Sequence, residues 1–246
     1  MTGRSSARRE VESLVDQALG DRAPLRVLDA GCGGATRFTF SAPARIVGID
    51  SSARQLERHP GLDEKIVGDV QLHRFAPSSF DIVIAWQLLE HLAEPEEALL
   101  RFAEALDDGG LLVLGVPNPL SVKALVTKFT PHSFHVWVYR RLTGNEAVGT
   151  GDTAPFRTFL RFSLRRSAIE RFASEQGFVV DYVRSVEWEV QRRLREQAHL
   201  VGRLWSVFKF AVRVVSAGRV DAERTDLVIV LRKLPSPRSP DAARRG

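Results

Sequence analysis

The amino-acid sequence predicts an α/β fold in which βαβ units build a parallel sheet. Three observations support this prediction: five short apolar runs recur along the first half of the chain, helix signals lie between them, and a glycine-rich turn directly follows the first run. Short buried strands that alternate with helices are typical of parallel sheets. The 246 residues, 44% of them hydrophobic, are enough for one domain with a single core.

The first half of the chain begins with a helix, and the five apolar runs follow it. The helix is expected over about residues 7–19, because apolar residues recur there at helical spacing and Gly20 follows. The predicted strands are Leu25–Ala30, Arg45–Asp50, Lys65–Val70, Phe80–Gln87 and Leu111–Val116. A helix before the fifth strand is expected to begin at Pro95 and to end at Gly109–Gly110.

The second half is predicted to complete the same domain. A helix over about Leu164–Gln176 stops at Gly177, and two more strands are expected at Phe178–Val186 and Thr225–Lys233. We therefore expect a single domain over residues 1–234, with insertions at about 119–162 and 189–220 that serve as a substrate lid. Residues 235–246 carry three prolines and no large apolar side chain, which predicts a disordered tail.

Composition and charge limit the classes of function. The single cysteine, Cys32, excludes an internal disulfide and a cysteine metal cluster, and no signal peptide or membrane-spanning run is recognised, so a cytoplasmic protein is expected. Residues 1–123 hold 13 lysines and arginines against 18 acids, whereas residues 124–246 hold 22 against 12. A basic half can indicate nucleic acid, an anionic membrane or an acidic substrate, but it can also be a solvated surface of an arginine-rich chain.

The glycine-rich turn Val27-Leu28-Asp29-Ala30-Gly31-Cys32-Gly33-Gly34 is the most informative motif. Such a turn lets backbone amides approach a ligand closely. A nicotinamide dinucleotide site requires a third glycine at position 36, which is Thr36, and an acid at 29 suits a pyrophosphate poorly. A ligand with a cationic end, such as S-adenosylmethionine, suits that acid better.

Two further acids are predicted at the ends of the next strands. Asp50 is placed to accept hydrogen bonds from ribose hydroxyls, and Asp69 from an adenine amine. Each acid alone is also explained as a strand-end cap or turn former. Three acids at the carboxyl ends of consecutive parallel strands lie where open α/β sheets bind ligands.

The stretch from Leu25 to about Asn118 resembles the class I S-adenosylmethionine-dependent methyltransferases, in the small-molecule branch that includes the quinone O-methyltransferases. The matching segments are VLDAGCGG, IVGIDSS, GDV, SSFDIVIAWQLLEHLAEPEEAL and LDDGGLLVLGVPN, and FSLRRSAIERFASEQGF resembles the family's penultimate helix. The resemblance implies a Rossmann-like, seven-stranded, mostly parallel sheet with helices on both faces and an antiparallel last strand.

The resemblance also assigns cofactor-binding residues. Asp29, Gly31 and Gly33 would line the methionine end, with Cys32 as a small buried side chain between the glycines. The ribose and adenine would meet the pairs Asp50–Ser51 and Asp69–Val70, and Gln87 would face the cofactor. Metal-dependent relatives carry Glu-x-x-Glu-His where this chain has Gln87 to His91, so no metal is expected.

Methyl transfer to a hydroxyl calls for a general base, and three histidines are candidates. They are His91, His132 and His135, of which the last two lie in the predicted lid. Histidines in an aromatic-rich lid can also serve only packing and hydrogen bonding.

Residues 189–220 form a basic segment with an apolar stripe at helical spacing. Four interpretations are open: a helix over the mouth of the site, a surface helix on an anionic membrane, a homodimer contact through Trp205 and Phe208, and a nucleic-acid contact. The last is disfavoured because no base-reading module is recognised, so no nucleic acid is expected.

The predicted function is S-adenosylmethionine-dependent methyl transfer to a small organic acceptor, at a hydroxyl. The alternative is a non-catalytic cofactor-binding or membrane-surface module on the same fold. A nicotinamide oxidoreductase is the third class, and it conflicts with Thr36.

Overall fold

The computed structural model describes residues 3–130, 133, 137, 140, 158–159, 161–187, 191–192, 196 and 201–235. These residues form one seven-stranded sheet of order β3-β2-β1-β4-β5-β7-β6. The strands are β1 (Leu25–Ala30), β2 (Ala44–Asp50), β3 (Glu64–Val67), β4 (Phe80–Trp86), β5 (Leu106–Pro117), β6 (Phe178–Val186) and β7 (Asp226–Lys233). Strands β1 to β5 pair in parallel, and β7 runs antiparallel to β5 and β6. The expected mixed sheet is confirmed.

Helices cover both faces of the sheet. They are α1 (Gly3–Leu19), α2 (Ala53–Arg58), α3 (Pro95–Ala105), α4 (Val122–Phe129), α5 (Arg166–Glu175) and α6 (Gly202–Val215), with short 3-10 turns at Leu89–His91 and Phe162–Leu164. Successive strand residues point to opposite faces, so Leu28 joins the cluster beneath α3 and α5, whereas Val27 joins the cluster beneath α1. The core therefore has two layers, one on each side of the sheet.

The helix before β5 is shorter than the sequence predicts. It ends at Ala105, and Gly109–Gly110 lie within β5 instead of closing the helix. The pairing of β4 with β5 jumps from Leu106 to Leu111, so residues 107–110 bulge from the ladder. Gly109 has a φ of 73°, and a Cβ on Gly110 would lie 2.8 Å from the Asp107 carbonyl oxygen. These glycines form a bulge, which shares its sequence signal with a helix end.

Two further differences in extent concern the site and the basic segment. Strand β3 ends at Val67, so Asp69 lies in the turn after the strand and not at its last residue. In the basic segment the predicted helix is interrupted: residues 191–192 and 196 are helical, Val201 is extended, and α6 begins at Gly202, which has a φ of 56°. Most of the predicted stripe before Val201 lies outside the described residues.

An ion network fixes the edge of the sheet where the parallel strands begin. The Asp81 carboxylate accepts hydrogen bonds from the backbone and guanidinium of Arg26 and from Arg22, at 2.8 to 3.1 Å. Burial raises the pKa of Asp81, but these donors outweigh burial and hold it below its usual value.

Within the described part of the chain, no helix combines the length and the apolar character needed to cross a membrane.

Candidate functional site

A pocket opens at the opposite edge of the sheet, where β1, β2 and β3 end. It is lined by Gly31, Ile49, Asp50, Ser51, Gly68, Asp69, Val70, Gln71, Leu88, His91 and Leu92. Six of the residues singled out in the sequence are among them: Gly31, Asp50, Ser51, Asp69, Val70 and His91. The convergence follows from the topology, because the carboxyl ends of neighbouring parallel strands meet at one edge.

The other sequence candidates fall into two groups. Asp29, Cys32, Gly33 and Gln87 do not belong to the lining of this pocket, as far as the described residues define it. His132 and His135 lie outside the described residues. The pocket thus combines the predicted ribose and adenine residues with one candidate base.

The turn after β1 depends on its glycines. Gly31 and Gly33 have φ angles of 65° and 60°, a region that other residues rarely adopt. The Gly31 amide donates to the Ile49 carbonyl oxygen at 2.8 Å, which ties the turn to the end of β2. A Cβ on Gly31 would lie 2.7 Å from Leu88 Cδ1. Glycine at 31 therefore keeps this wall of the pocket free of a side chain.

Asp50 connects the glycine turn to the next loop. Its Oδ2 accepts a hydrogen bond from the Gly33 amide at 2.9 Å, and its Oδ1 accepts one from the Ser52 amide at 2.8 Å. A carboxylate offers about four acceptor positions, so both oxygens retain capacity for a ligand. The two amides fix the orientation of a carboxylate that lines the pocket.

Asp69 is held by a glutamine that the sequence analysis did not single out. The Gln71 side-chain amide lies 3.0 Å from each Asp69 carboxylate oxygen, and the Gln71 backbone amide donates to Asp69 Oδ1 at 2.8 Å. Gln71 also accepts hydrogen bonds from the Glu94 amide and from Arg101 Nε, at 2.7 and 2.6 Å. It thereby links the Asp69 carboxylate to α3 and its amino end.

Asp29 lies beneath the glycine turn and is 6% exposed. Burial raises the pKa of its carboxyl to about 6, and the nearby Asp50 carboxylate adds to this effect. A hydrogen bond from Thr36 and the charge of Arg37 oppose the shift but do not cancel it. The anionic form of Asp29 is therefore costly in this fold, and a cation nearby would relieve that cost.

Thr36 and His59 continue the contacts of Asp29. Thr36 Oγ1 lies 3.3 Å from His59 Nε2, and the Gly61 amide donates to His59 Nδ1 at 3.2 Å. Because Nδ1 accepts, the proton of the neutral ring sits on Nε2 and is donated to Thr36. Burial lowers the pKa of His59, which favours this neutral ring. The chain of hydrogen bonds orients Thr36 toward Asp29.

His91 closes the pocket from the short 3-10 turn after β4. Its Nε2 lies 4.0 Å from Oε1 of the buried Glu90.

Gln87, four residues earlier, has a φ of 58° and binds the Gly115 carbonyl oxygen through both its backbone amide and its side chain. Gln87 therefore holds the ends of β4 and β5 together.

Cys32 has the environment of a structural residue. It is buried, and burial raises the pKa of its thiol to about 12, so the reactive thiolate is strongly disfavoured. Its sulfur faces Gly48, where an added Cβ would approach Sγ to 2.9 Å. Among the described residues, histidine, cysteine and acidic side chains do not gather into groups of three or more that could hold a metal ion.

Comparison with known proteins gives a family match over most of the chain. The family described as "Methyltransferase domain" matches residues 4–183. The ubiquinone biosynthesis O-methyltransferase of Schizosaccharomyces pombe is 27% identical over 174 residues, which are 65% of this chain and 57% of that protein. The 27-O-demethylrifamycin SV methyltransferase of Amycolatopsis mediterranei is 31% identical over 42% of this chain and 44% of its own length. The chain spans about half the length of these curated relatives.

Solved structures share the fold at low sequence identity. A Listeria monocytogenes structure described as that of an S-adenosylmethionine-dependent methyltransferase has a TM-score of 0.58 at 16% identity, covering 95% of this chain and 99% of its own. A [4+2]-cyclase, SpnF, has a TM-score of 0.54 at 18% identity, covering 92% of this chain and 82% of its own.

Proposed function

The chain belongs to the methyltransferase-domain family, and we propose that it transfers a methyl group from S-adenosylmethionine to a hydroxyl of a small organic acceptor. The observation that carries this proposal is the pocket in which the Gly31 turn, Asp50 and Asp69 meet. The Schizosaccharomyces pombe relative, which is named as an O-methyltransferase, supports the choice of oxygen as the methylated atom.

The residues present suit S-adenosylmethionine. A bound S-adenosylmethionine would supply a methyl group activated on a positively charged sulfur. The Gly31 position is a cradle that a Cβ would fill, which suits close contact of the turn with a ligand. Asp50 and Asp69 offer fixed carboxylates for the ribose hydroxyls and the adenine amine, and Asp29 supplies negative charge below the turn for the cationic end.

His91 is the proposed acceptor of the hydroxyl proton among the described residues. It lines the pocket, and the buried Glu90 carboxylate beside it would stabilise the imidazolium that forms when Nε2 takes the proton. Loss of that proton would leave the acceptor oxygen as the nucleophile for the methyl group that bound S-adenosylmethionine would supply. Positioning of the two reactants can contribute about 7–11 kcal/mol to such a step in favourable cases.

A calorimetric titration with S-adenosylhomocysteine, with NAD in parallel, tests the cofactor site. We expect binding of S-adenosylhomocysteine alone, and Asp50→Asn should weaken it at least about tenfold, because the ribose hydroxyls lose a charged acceptor. Asp63→Asn is the matched control: Asp63 accepts the Ile46 amide at the other end of β2, far from the pocket. Equal affinities of the Asp50 variant and the parent, or binding of NAD in place of S-adenosylhomocysteine, would contradict the proposal.

The alternative is a module that binds the cofactor without transferring its methyl group. The structural similarity to a protein named as a cyclase gives a reason to keep it, since the same fold then serves other chemistry. Transfer of labelled methyl to a panel of phenolic and aliphatic alcohols separates the two. Labelled product supports the enzyme, whereas tight binding with no product on any acceptor supports the module.

The proposal also covers the compartment of the protein and the partner of residues 189–220. We propose the cytoplasm as the compartment, because the lone Cys32 is a buried thiol. A membrane surface and a second copy of the chain are the two partners considered for residues 189–220, and both would contact α6. The charges of this helix favour the membrane surface.

A further inference from the structure

Helix α6 turns most of its apolar side chains away from the protein. Its inner face is formed by Trp205, which is 8% exposed, and by the half-buried Lys209 and Val212. These positions recur at helical spacing and therefore share one side of the helix. The remaining large apolar side chains, which we call the outer face, are 38% to 89% exposed: Leu204, Val207, Phe208, Phe210, Val214 and Val215.

The inner face anchors α6 to the loop before β7. Trp205 Nε1 lies 3.4 Å from Glu223 Oε1, and Lys209 Nζ lies 3.1 Å from Glu223 Oε2. The Trp205 ring also stacks on Phe208 at a centroid distance of 5.3 Å. The helix is thus fixed through one side, and its outer face is exposed.

The charge of α6 has one sign. Residues 202–215 contain Arg203, Lys209 and Arg213 but no acid, and the acid-free stretch extends from 197 to 220. Lys209 is paired with Glu223, whereas Arg203 and Arg213 occupy exposed positions on the helix. An apolar face flanked by basic side chains is typical of helices that lie in the interface of an anionic membrane.

A second copy of the chain fits this face less well. A two-fold contact buries the same patch of both copies, so it would bring Arg203 and Arg213 of each copy near the same arginines. The helix carries no acid to pair with them, and anionic phospholipid headgroups would supply the missing charge.

The insertion that carries α6 belongs to the edge of the sheet that holds the pocket. Val186 at the end of β6 pairs with Asp226 at the start of β7, and Asp226 pairs with Pro117 at the end of β5. Strand β5 is parallel to β4, β1 and β2, so these residues mark the carboxyl edge of the parallel strands. A membrane under α6 would therefore lie at the same edge as the pocket and leave the opposite edge in water.

We propose that the outer face of α6 docks on an anionic phospholipid membrane, with its apolar side chains in the interfacial layer and Arg203 and Arg213 against the headgroups. Docking of this kind does not depend on methyl transfer. The proposal predicts that membrane binding requires both the apolar side chains of the outer face and the positive charge of the helix.

Flotation of the full chain with lipid vesicles tests the proposal. We expect binding to vesicles of equimolar phosphatidylcholine and phosphatidylglycerol, weak binding to phosphatidylcholine alone, and loss of binding as salt rises to about 0.5 M. Phe210→Glu should lower the bound fraction at least about tenfold, because one apolar side chain is lost and an acid faces the lipid. The double variant Arg203→Gln/Arg213→Gln should also weaken binding to anionic vesicles while it leaves the weak binding to neutral vesicles unchanged.

Leu234→Glu is the matched control, because Leu234 is an exposed apolar residue that follows β7 at the opposite edge of the sheet. It should bind vesicles like the parent, and S-adenosylhomocysteine affinity and thermal unfolding should show that all variants are folded. Equal binding to neutral and anionic vesicles, or no binding to either, would overturn the proposal. So would a dimer in sedimentation that Phe210→Glu dissociates while the parent ignores vesicles, since the outer face would then meet a second copy.

Discussion

Replacing Asp29 by asparagine should stabilise the protein at neutral pH. Asp29 is almost fully buried, and burial raises its pKa from a normal value of 3.8 to about 6, with Asp50 raising it further and Thr36 and Arg37 lowering it. Asparagine has the same shape and can still accept the hydrogen bond from Thr36, but it carries no charge. The substitution therefore removes the cost of a buried carboxylate and keeps its neighbours in place.

The expected magnitude follows from the shift in pKa. One unit corresponds to about 1.4 kcal/mol, so a rise of roughly two units costs the folded state about 3 kcal/mol when the group is fully ionised. Because the folded state holds the Asp29 proton more tightly than the unfolded state, the free energy of unfolding of the parent falls as pH rises from about 4 to above 6. Below pH 4 the carboxyl is protonated in both states and the cost vanishes.

Urea denaturation of the parent and Asp29→Asn at pH 4 and pH 8 measures this difference. We expect nearly equal free energies of unfolding at pH 4 and an advantage of up to about 3 kcal/mol for the variant at pH 8. Asp63→Asn, at an exposed position, controls for the loss of one carboxylate from the chain. A variant that is less stable than the parent at pH 8, or an advantage that does not grow with pH, would refute the reasoning.

Three further predictions use the same geometry. The affinity for S-adenosylhomocysteine should fall below about pH 6 in the parent as Asp29 takes up its proton, and calorimetry on Asp29→Asn should show a weaker affinity without this step. Gly31→Ala should abolish measurable binding of that ligand, because the φ of 65° disfavours alanine and its Cβ would meet Leu88; binding equal to that of the parent would contradict this. Asp81→Ala should lower the free energy of unfolding by about 2–3 kcal/mol at pH 7, since Arg22 and Arg26 lose their shared acceptor, and the loss should shrink as pH falls below the normal value of 3.8 toward the lowered pKa at which folded Asp81 takes up its proton; denaturation with urea measures both.

The sequence predicted the sheet and one side of the pocket because both follow from patterns with a simple physical cause. Apolar runs separated by helices lead to parallel strands, and the acids after two neighbouring strands then meet at one edge. Asp50 and Asp69 accordingly line the same pocket, even though β3 is shorter than predicted. This prediction requires only that each residue lie at the correct edge of the sheet. An error of a few residues in the position of a strand end does not change it.

Residues whose role depends on loop conformation could not be predicted in this way. Gln71 binds Asp69 only because the turn after β3 brings its side chain back, and Leu88 lines the pocket from an irregular segment after β4. Thr36 was considered only as the absence of a third glycine, whereas the structure shows it as a hydrogen-bond donor to Asp29. The motif requires a glycine at position 36, but the contacts of the threonine found there depend on how the loop folds.

The periodicity of the basic segment showed a stripe but not its direction. Trp205 and Phe208 both belong to the apolar stripe, yet the first is buried and the second is 38% exposed. An apolar stripe directed toward the protein and one directed toward a partner have the same spacing, so only the packing of the inner face could separate them.

The cofactor pocket and α6 lie at different parts of the same sheet edge, so the two proposals can be tested independently. The proposed cofactor contacts come from the ends of β1, β2 and β3, which lie on one side of the sheet order, whereas α6 enters between β6 and β7 on the other side. Changes on the outer face of α6 are therefore separated from Asp50 and Asp69 by the intervening strands β4 and β5. Variants of α6 should alter membrane binding without altering affinity for S-adenosylhomocysteine, and variants of Asp50 should do the reverse.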